Sequence, residues 1–277
     1  MTYDVMIHTM ETSNSIGYIN AGGRGTRLNG LFTPDPEIGI AKALLEIGVP
    51  KVKFVDHHIA NLRQQNIQDI IISAEDQAAV YEYVQDMYGD DQDVSVTRSD
   101  RQICHGGSIV DYANKSNQAR PILVQNVDTI LDIDLQEFTR QFALKQKIGG
   151  VASIALTLNR GVPNEDAFAV DSQGKVVYSA EFKDEDIAPV KGNYRASSTG
   201  AVVIDPDFLR RQSWASNDGL LSLYRDCLHR AWEHDALYAY NNGQRFFRDI
   251  GTVATWMASD GDMELQSHLR YNKKHNV

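Results

Sequence analysis

Apolar positions along this chain fall into short blocks that alternate between two periods. Ile16–Ala21 is a short apolar run closed by glycines, and Asp69–Ser73 carries Ile70, Ile71 and Ile72 in a row, the pattern of a buried strand. Between them, Asp56–Gln65 places Ile59 and Leu62 three apart, as a helix would. Asp76–Met87 then aligns Val80, Tyr83, Val84 and Met87 on one helical face. The rhythm continues with a strand at Val94–Thr97, a helix at Ser108–Lys115, a strand at Pro121–Gln125 and an amphipathic helix at Leu135–Leu144. Strands alternating with helices in this way predict an α/β fold: a Rossmann-like, mostly parallel sheet with helices on both faces.

The second half is less regular. Val151–Leu158 and Thr199–Ile204 read as strands, and Ala167–Val170 and Lys175–Tyr178 flank a hairpin turn at Asp171–Gly174. Helices are predicted over Gly219–Glu233 and from Val253–Ser259, with a strand at Leu237–Tyr240. The charged stretch Lys183–Asp186 and the following Pro189 to Ser198 read as a mobile loop. No repeat or low-complexity linker marks a boundary. We therefore expect an N-terminal extension over residues 1–14 and one domain over 15–277, with halves meeting near 148–149.

Composition narrows the function classes. A formal net charge of -10 argues against a broad nucleic-acid surface, which needs a basic face. It leaves room for one phosphorylated small molecule held by a local basic cluster. The two cysteines, Cys104 and Cys227, form neither a disulfide framework nor a CxxC metal motif, so a cytoplasmic setting is expected. No stretch approaches the ~18 consecutive apolar residues of a membrane span, and Met1 to Ser15 lacks a signal-peptide core.

The chemistry concentrates in "NAGGRGTRLNG", Asn20 to Gly30, directly after the first strand. Glycines at the end of a parallel strand let backbone N–H groups crowd around an anion. Arg24 and Arg27 add permanent charges with forked donors suited to phosphate oxygens. The loop is neither a Walker motif nor a GxGxxG fingerprint. It reads as a phosphate cradle.

"GGRGTRL", Gly22–Leu28, resembles the signature of the sugar-1-phosphate nucleotidylyltransferases. "AKALLEIG", Ala41 to Gly48, is similar to the stretch that follows the loop in that family, with Ala41 at the usual proline. "ILVQNVDTILDIDLQEF", Ile122 to Phe138, and "FRDIGTVATWMAS", Phe247 to Ser259, resemble its two metal-aspartate segments. The resemblance implies that Arg27 and Lys42 neutralise phosphates during transfer and that Asp128 and Asp249 hold magnesium. It implies a nucleotide site at Ala21, Gly22, Gly23, Arg24, Gly25 and Thr26. From "CHGGSIVDYA", Cys104 to Ala113, it adds Gly106, Gly107 and Ser108, with Cys104 at a position where glycine is common. Gln102 reads as a base-edge partner or a solvated loop residue, and His105 as a ligand contact or a structural histidine. For the sugar phosphate the resemblance implies Glu181, Lys183 and Gly200, with Phe182 where the family has a lysine, while Asn126 and Thr199 read as partners of sugar or ribose hydroxyls or as surface caps.

The implied reaction joins an NTP to a sugar or cyclitol 1-phosphate, giving an NDP-sugar and pyrophosphate, with Mg2+ as cofactor and a lean to GTP. Two alternatives stay open. One is a regulatory or sensing homologue, suggested by Cys104, Val127 and Phe182. The other is a metal-dependent glycosyltransferase using Asp132–Asp134, although that "DID" reads as the start of a helix. The expected partners are the two substrates, with no nucleic acid and no membrane, and a homo-oligomer is left open. His57–His58 and the three tryptophans, Trp214, Trp232 and Trp256, read as structural, and the acidic run Gly89–Asp93 as a solvated loop.

Overall fold

The computed structural model describes residues 14–23, 41–48, 50–99, 104–158, 167–180, 194–214 and 220–274. Its centre is strand β1 (Ile16–Asn20), buried along its whole length. Strands covered on both faces need apolar residues at every position, which is why this run does not alternate. Strand β1 lies parallel between β4 (Ile70–Glu75) and β6 (Ile122–Asn126), and β5 (Val94–Arg98) extends the parallel set beyond β4.

The crossovers put helices on both faces. Helices α1 (Phe54–Gln64), α2 (Ala78–Tyr88) and α4 (Leu135–Gln146) feed Leu62, Val80, Val84, Phe138 and Phe142 into one core. Helix α3 (Cys104–Ser116) and α5 (Pro206–Arg211) feed Ile109, Ala113, Phe208 and Leu209 into the other. The α/β expectation for the first half therefore holds.

Beyond β6 the sheet turns mixed. The long strand β11 (Tyr194–Ile204) runs antiparallel to β6 through Ala201–Ile204 and to β9 (Ala167–Val170) through Tyr194–Ser197. Its other edge carries β8 (Ala152–Thr157), which pairs in parallel with β12 (Leu237–Asn241). The ladder to β8 shifts register between Ser198 and Val202, and Gly200 sits there at φ +77. A β-carbon there would lie 3.1 Å from Asn126 Nδ2 and Thr129 Oγ1, so the fork demands a glycine. Strand β10 (Val176–Ser179) closes the predicted hairpin with β9, around a turn in which Gly174 N–H donates to the Asp171 carbonyl.

Several elements differ from the sequence reading. Tyr194–Ser198, expected in a loop, begins β11, whereas residues 183–193 lie outside the described set. The helix expected over Gly219–Glu233 starts later, as a π-helical turn at Leu223–Leu228 running into α6 (His229–Glu233). Ser222 sets that start: its hydroxyl accepts from Arg225 N–H, and its own N–H donates to Asp226 Oδ2. The last helix breaks into α7 (Val253–Ala258) and α8 (Met263–Lys274), with Asp262 accepting from the N–H groups of Glu264 and Leu265 at the new start. Four short strands escape the periodicity: the hairpin β2 (Glu46–Ile47) with β3 (Val52–Lys53), and β7 (Thr129–Leu131) with β13 (Phe247–Asp249). None of the described helices is long and apolar enough to cross a membrane.

Candidate active site

The carboxyl ends of β1, β4 and β6 converge on one edge of the sheet, where open α/β folds place ligands. Val127 follows β6 and donates its N–H to the Asn20 carbonyl. Behind the turn, His58 of α1 is buried, its Nε2 donating to the Val127 carbonyl at 3.1 Å and its Nδ1 lying 3.4 Å from Gln125 Oε1. Burial holds the His58 imidazole below its ordinary pKa, in the neutral form. His58 is structural, as expected, and its task is to fix the turn that carries Asp128.

Asp128 meets two partners from distant parts of the chain. Lys42, in a 3-10 turn at Lys42–Leu44, places Nζ 2.7 Å from Asp128 Oδ2, with side chains only 10% and 15% exposed. Asp249 arrives from β13: it pairs with Thr129 across the β7–β13 ladder, and Ile250 N–H donates to the Asp128 carbonyl. Asp249 Oδ1 accepts from Gly251 N–H at 2.7 Å. Among the described residues no cluster of three or more His, Cys, Asp or Glu side chains is placed to hold a metal. Asp128, just ahead of β7, and Asp249, at the end of β13, are carboxylates of the type magnesium takes, one or two at a time, with phosphate oxygens and water completing its shell.

The glycine cradle is described only at its start. Ala21 N–H is committed to the Ser73 carbonyl, so it belongs to the sheet. Gly22 lies so close to Glu75 that a β-carbon would sit 2.4 Å from Glu75 Cβ. Over Gly23 comes His105, whose Nε2 would lie 3.7 Å from a β-carbon there. The His105 imidazole is held below its ordinary pKa chiefly by burial, and it feels Asp128 and Lys42. Arg24, Gly25, Thr26, Arg27, Gln102, Glu181 and Lys183 lie outside the described residues.

Other residues expected at the site have partners within the fold. Gly106 and Gly107 both donate their N–H groups to the Leu221 carbonyl. The first turn of a helix has no internal acceptors for these groups, and residue 221 supplies one. Thr199 is fully buried and its hydroxyl donates to the Ala155 carbonyl, so it joins strands instead of facing a sugar. Ser108 Oγ donates to the His105 carbonyl and lines a cleft. Asn126, at the end of β6, accepts from Asn20 Nδ2 and lies against Gly200. Asp134 caps α4 by accepting from Glu137 N–H at 2.8 Å, so the "DID" stretch starts a helix.

A model of the MobA-like NTP transferase domain matches residues 17–163, more than half of the chain. The chain belongs to that family. As an NTP transferase domain it is a nucleotidyltransferase by family, and solved structures extend the likeness of fold over nearly its whole length. A Bacillus anthracis protein assigned as a glucose-1-phosphate thymidylyltransferase, crystallised with sucrose, superposes with a TM-score of 0.69 at 18% identity, covering 92% of this chain and 99% of that one. The inositol-1-phosphate CTP transferase from T. maritima gives 0.70 at 12% identity, with 95% and 98% covered. HddC from Yersinia pseudotuberculosis, complexed with GMP-PN, gives 0.63 at 18% identity, with 88% and 96% covered. No curated protein sequence matches the chain. The family model ends at residue 163, so Asp249 and the β7–β13 ladder lie partly beyond what it covers.

Sequence reasoning missed Glu75 and the β7–β13 ladder. The ladder left one trace: the two aspartate segments sit beside apolar residues, Ile130 and Leu131 in one and Phe247 in the other. Glu75 left none, because an acidic residue after a strand is the ordinary composition of a turn.

Proposed function

We propose that this nucleotidyltransferase joins the nucleotidyl group of an NTP to a sugar or cyclitol 1-phosphate, releasing pyrophosphate, with Mg2+ as its cofactor. The observation that carries the reading is the Lys42–Asp128 pair next to Asp249, at the strand ends where the glycine loop begins. Asp128 and Asp249 would hold the metal, which supplies charge neutralisation to the phosphates when bound.

The rest is positioning. A sugar-phosphate oxygen attacks the α-phosphorus in line, the bond to the bridging oxygen breaks, and pyrophosphate leaves with its electron pair. The nucleophile is already an anion near neutral pH, so no side chain need remove a proton. What the protein must do is hold two polyanions together, which makes fixed positive charge the dominant requirement. Lys42 supplies it from a nearly buried position, and Arg27 belongs to the same proposal through its place in the loop. Asn126 and Gly200, together at the β6–β11 fork, are assigned to the sugar side with Glu181 and Lys183. Guanine is the first choice of base, consistent with the GMP-PN complex of a structural neighbour. The two free cysteines suit a reducing, cytoplasmic setting.

Incubating the purified protein with Mg2+, each common NTP and a panel of hexose, heptose and cyclitol 1-phosphates should release pyrophosphate with one combination. Silence across the whole panel would overturn the reading. A second reading, a nucleotide-binding homologue with little turnover, has one observation behind it. Cys104 opens α3 at φ +56, a backbone position that favours glycine. Nucleotide binding without pyrophosphate release would select it.

A further inference from the structure

Asp249 is the last residue of β13, and Arg248 before it ties that strand to the start of α8. Arg248 Nε donates to Asp262 Oδ2 and Nη2 to Glu264 Oε2, both at 2.7 Å. Nη1 donates to the Phe247 carbonyl at 2.9 Å, and the guanidinium lies 4.9 Å from the centre of the Phe246 ring. Every nitrogen of the guanidinium thus has an acceptor, and its planar fork is held in one orientation. Asp262 itself accepts from the N–H groups of Glu264 and Leu265, so the fork is seated on a capped helix start. The far side of α7 and α8 rests on the segment that follows Lys42. Trp256 Nε1 donates to the Glu46 carbonyl at 3.3 Å, and a β-carbon on Gly48 would lie 2.6 Å from Leu269 Cδ1. The two helices therefore form a strut, with one end on the β2–β3 hairpin behind Lys42 and the other on the strand that carries Asp249.

We propose that Arg248 is a positioning residue for the metal: through the strut it sets Asp249 in register with the Lys42–Asp128 pair. This rests on the Mg2+ reading above and adds a residue to it. The ladder to β7 spans three residues, and Ile250 N–H donates to the Asp128 carbonyl. Those contacts refer Asp249 to the Asp128 turn. The fork on Asp262 and Glu264 adds the second reference, to the side of the molecule from which Lys42 comes. Magnesium demands near-ideal octahedral geometry, so a carboxylate that drifts is a poor ligand. The Arg248 side chain is 33% exposed and that of Glu264 64%, and ion pairs so open to water add little to stability. What the fork supplies is direction, since its bonds leave one rigid plane toward two separate carboxylates. Groups that orient a metal's ligands matter to affinity without touching the ion.

The probe is Mn2+, bound to the full chain and followed by its paramagnetic signal. In Arg248→Met its affinity should fall roughly 10-fold, the lower end of the loss when a group supporting a metal ligand is removed. The urea midpoint should stay near that of the wild type. In turnover, KM for Mg2+ should rise while kcat at saturating Mg2+ is retained. If Arg248→Met does not fold, Glu264→Gln decides in its place: it removes one exposed partner of the fork and should weaken Mn2+ binding in the same direction by a smaller factor. Wild-type Mn2+ affinity in the folded variant would overturn the Arg248 assignment and leave the nucleotidyltransferase reading standing. A fall in kcat that excess Mg2+ does not restore would count the same way, since it marks damage beyond the metal. Absence of Mn2+ binding by the wild type, alone and with NTP present, would remove the Mg2+ reading itself and this assignment with it.

Discussion

In the proposed reaction Lys42 and a divalent cation would have a claim on the same carboxylate. With Nζ at 2.7 Å from Asp128 Oδ2, the ammonium holds the position a hard cation would seek. Lys42→Met should then have two opposite effects. Turnover should fall by roughly 100- to 1000-fold, as for loss of one group stabilising transition-state charge. Binding of Mn2+ to the nucleotide-free protein, followed by its paramagnetic signal, should tighten, because Asp128 is released. Unchanged or weaker Mn2+ binding would mean that the ion pair and the metal site are independent.

His58 gives the residue scale its pH dependence. Burial holds the His58 and His105 imidazoles below their ordinary pKa, whereas in the unfolded chain each takes up a proton near pH 6.5. The unfolded state thus binds more protons as pH falls, so the stability owed to these two groups is complete above about pH 6.5 and is lost toward the folded pKa values. Urea midpoints measured between pH 7.5 and 5 should decline, and more shallowly in His58→Leu. That variant should also lose about 1–3 kcal/mol at pH 7.5, since the Val127 carbonyl loses its buried donor.

At the scale of elements, the joints are close backbone contacts. Gly106 lets α3 dock on the segment before the π-helical turn. A β-carbon there would lie 2.6 Å from Ser222 C and 2.7 Å from Leu221 O. Gly106→Ala should therefore cost a few kcal/mol, on the order of an overpacked core, read as a lower denaturant midpoint with an unchanged slope. Gly89→Ala would be a poor control, as it too meets backbone; Gly261, with open space around it, is the better one. This scale also shows what the sequence makes legible. Ile70–Ile72 and the Val80/Val84 face announce β4 and α2 because burial selects side chains over several residues. Strands β7 and β13 have three residues each, too few for any period, and exist because Phe247 and Leu131 find each other across the molecule. The same reasoning separates the site residues. Lys42, Asp128 and Asp249 are legible as candidates through the family resemblance, whereas the contact of Glu75 with Gly22 lies in no window of sequence.

The whole molecule carries a formal charge of -10 while its proposed ligands are polyanions. Net repulsion at long range and attraction at the site act over different distances, and salt screens the first more than the second. The association rate of NTP, measured by stopped flow, should therefore rise modestly between low and physiological ionic strength. A steep fall would mean that a positive field around the cleft dominates approach. Once bound, nucleotide at about 100 times its Kd should stabilise the fold by about 2.7 kcal/mol, visible as a shift in Tm.

Consider, finally, a ribosome part-way through this chain. The strands β1, β4, β5 and β6 are complete once residue 126 has emerged, together with α1, α2 and α3. Asp128 follows at once, already facing Lys42. Its companion Asp249 must wait for more than a hundred further residues before β13 can dock on β7. The proposed pair of carboxylates is thus completed only late in synthesis, with the docking of β13 on β7.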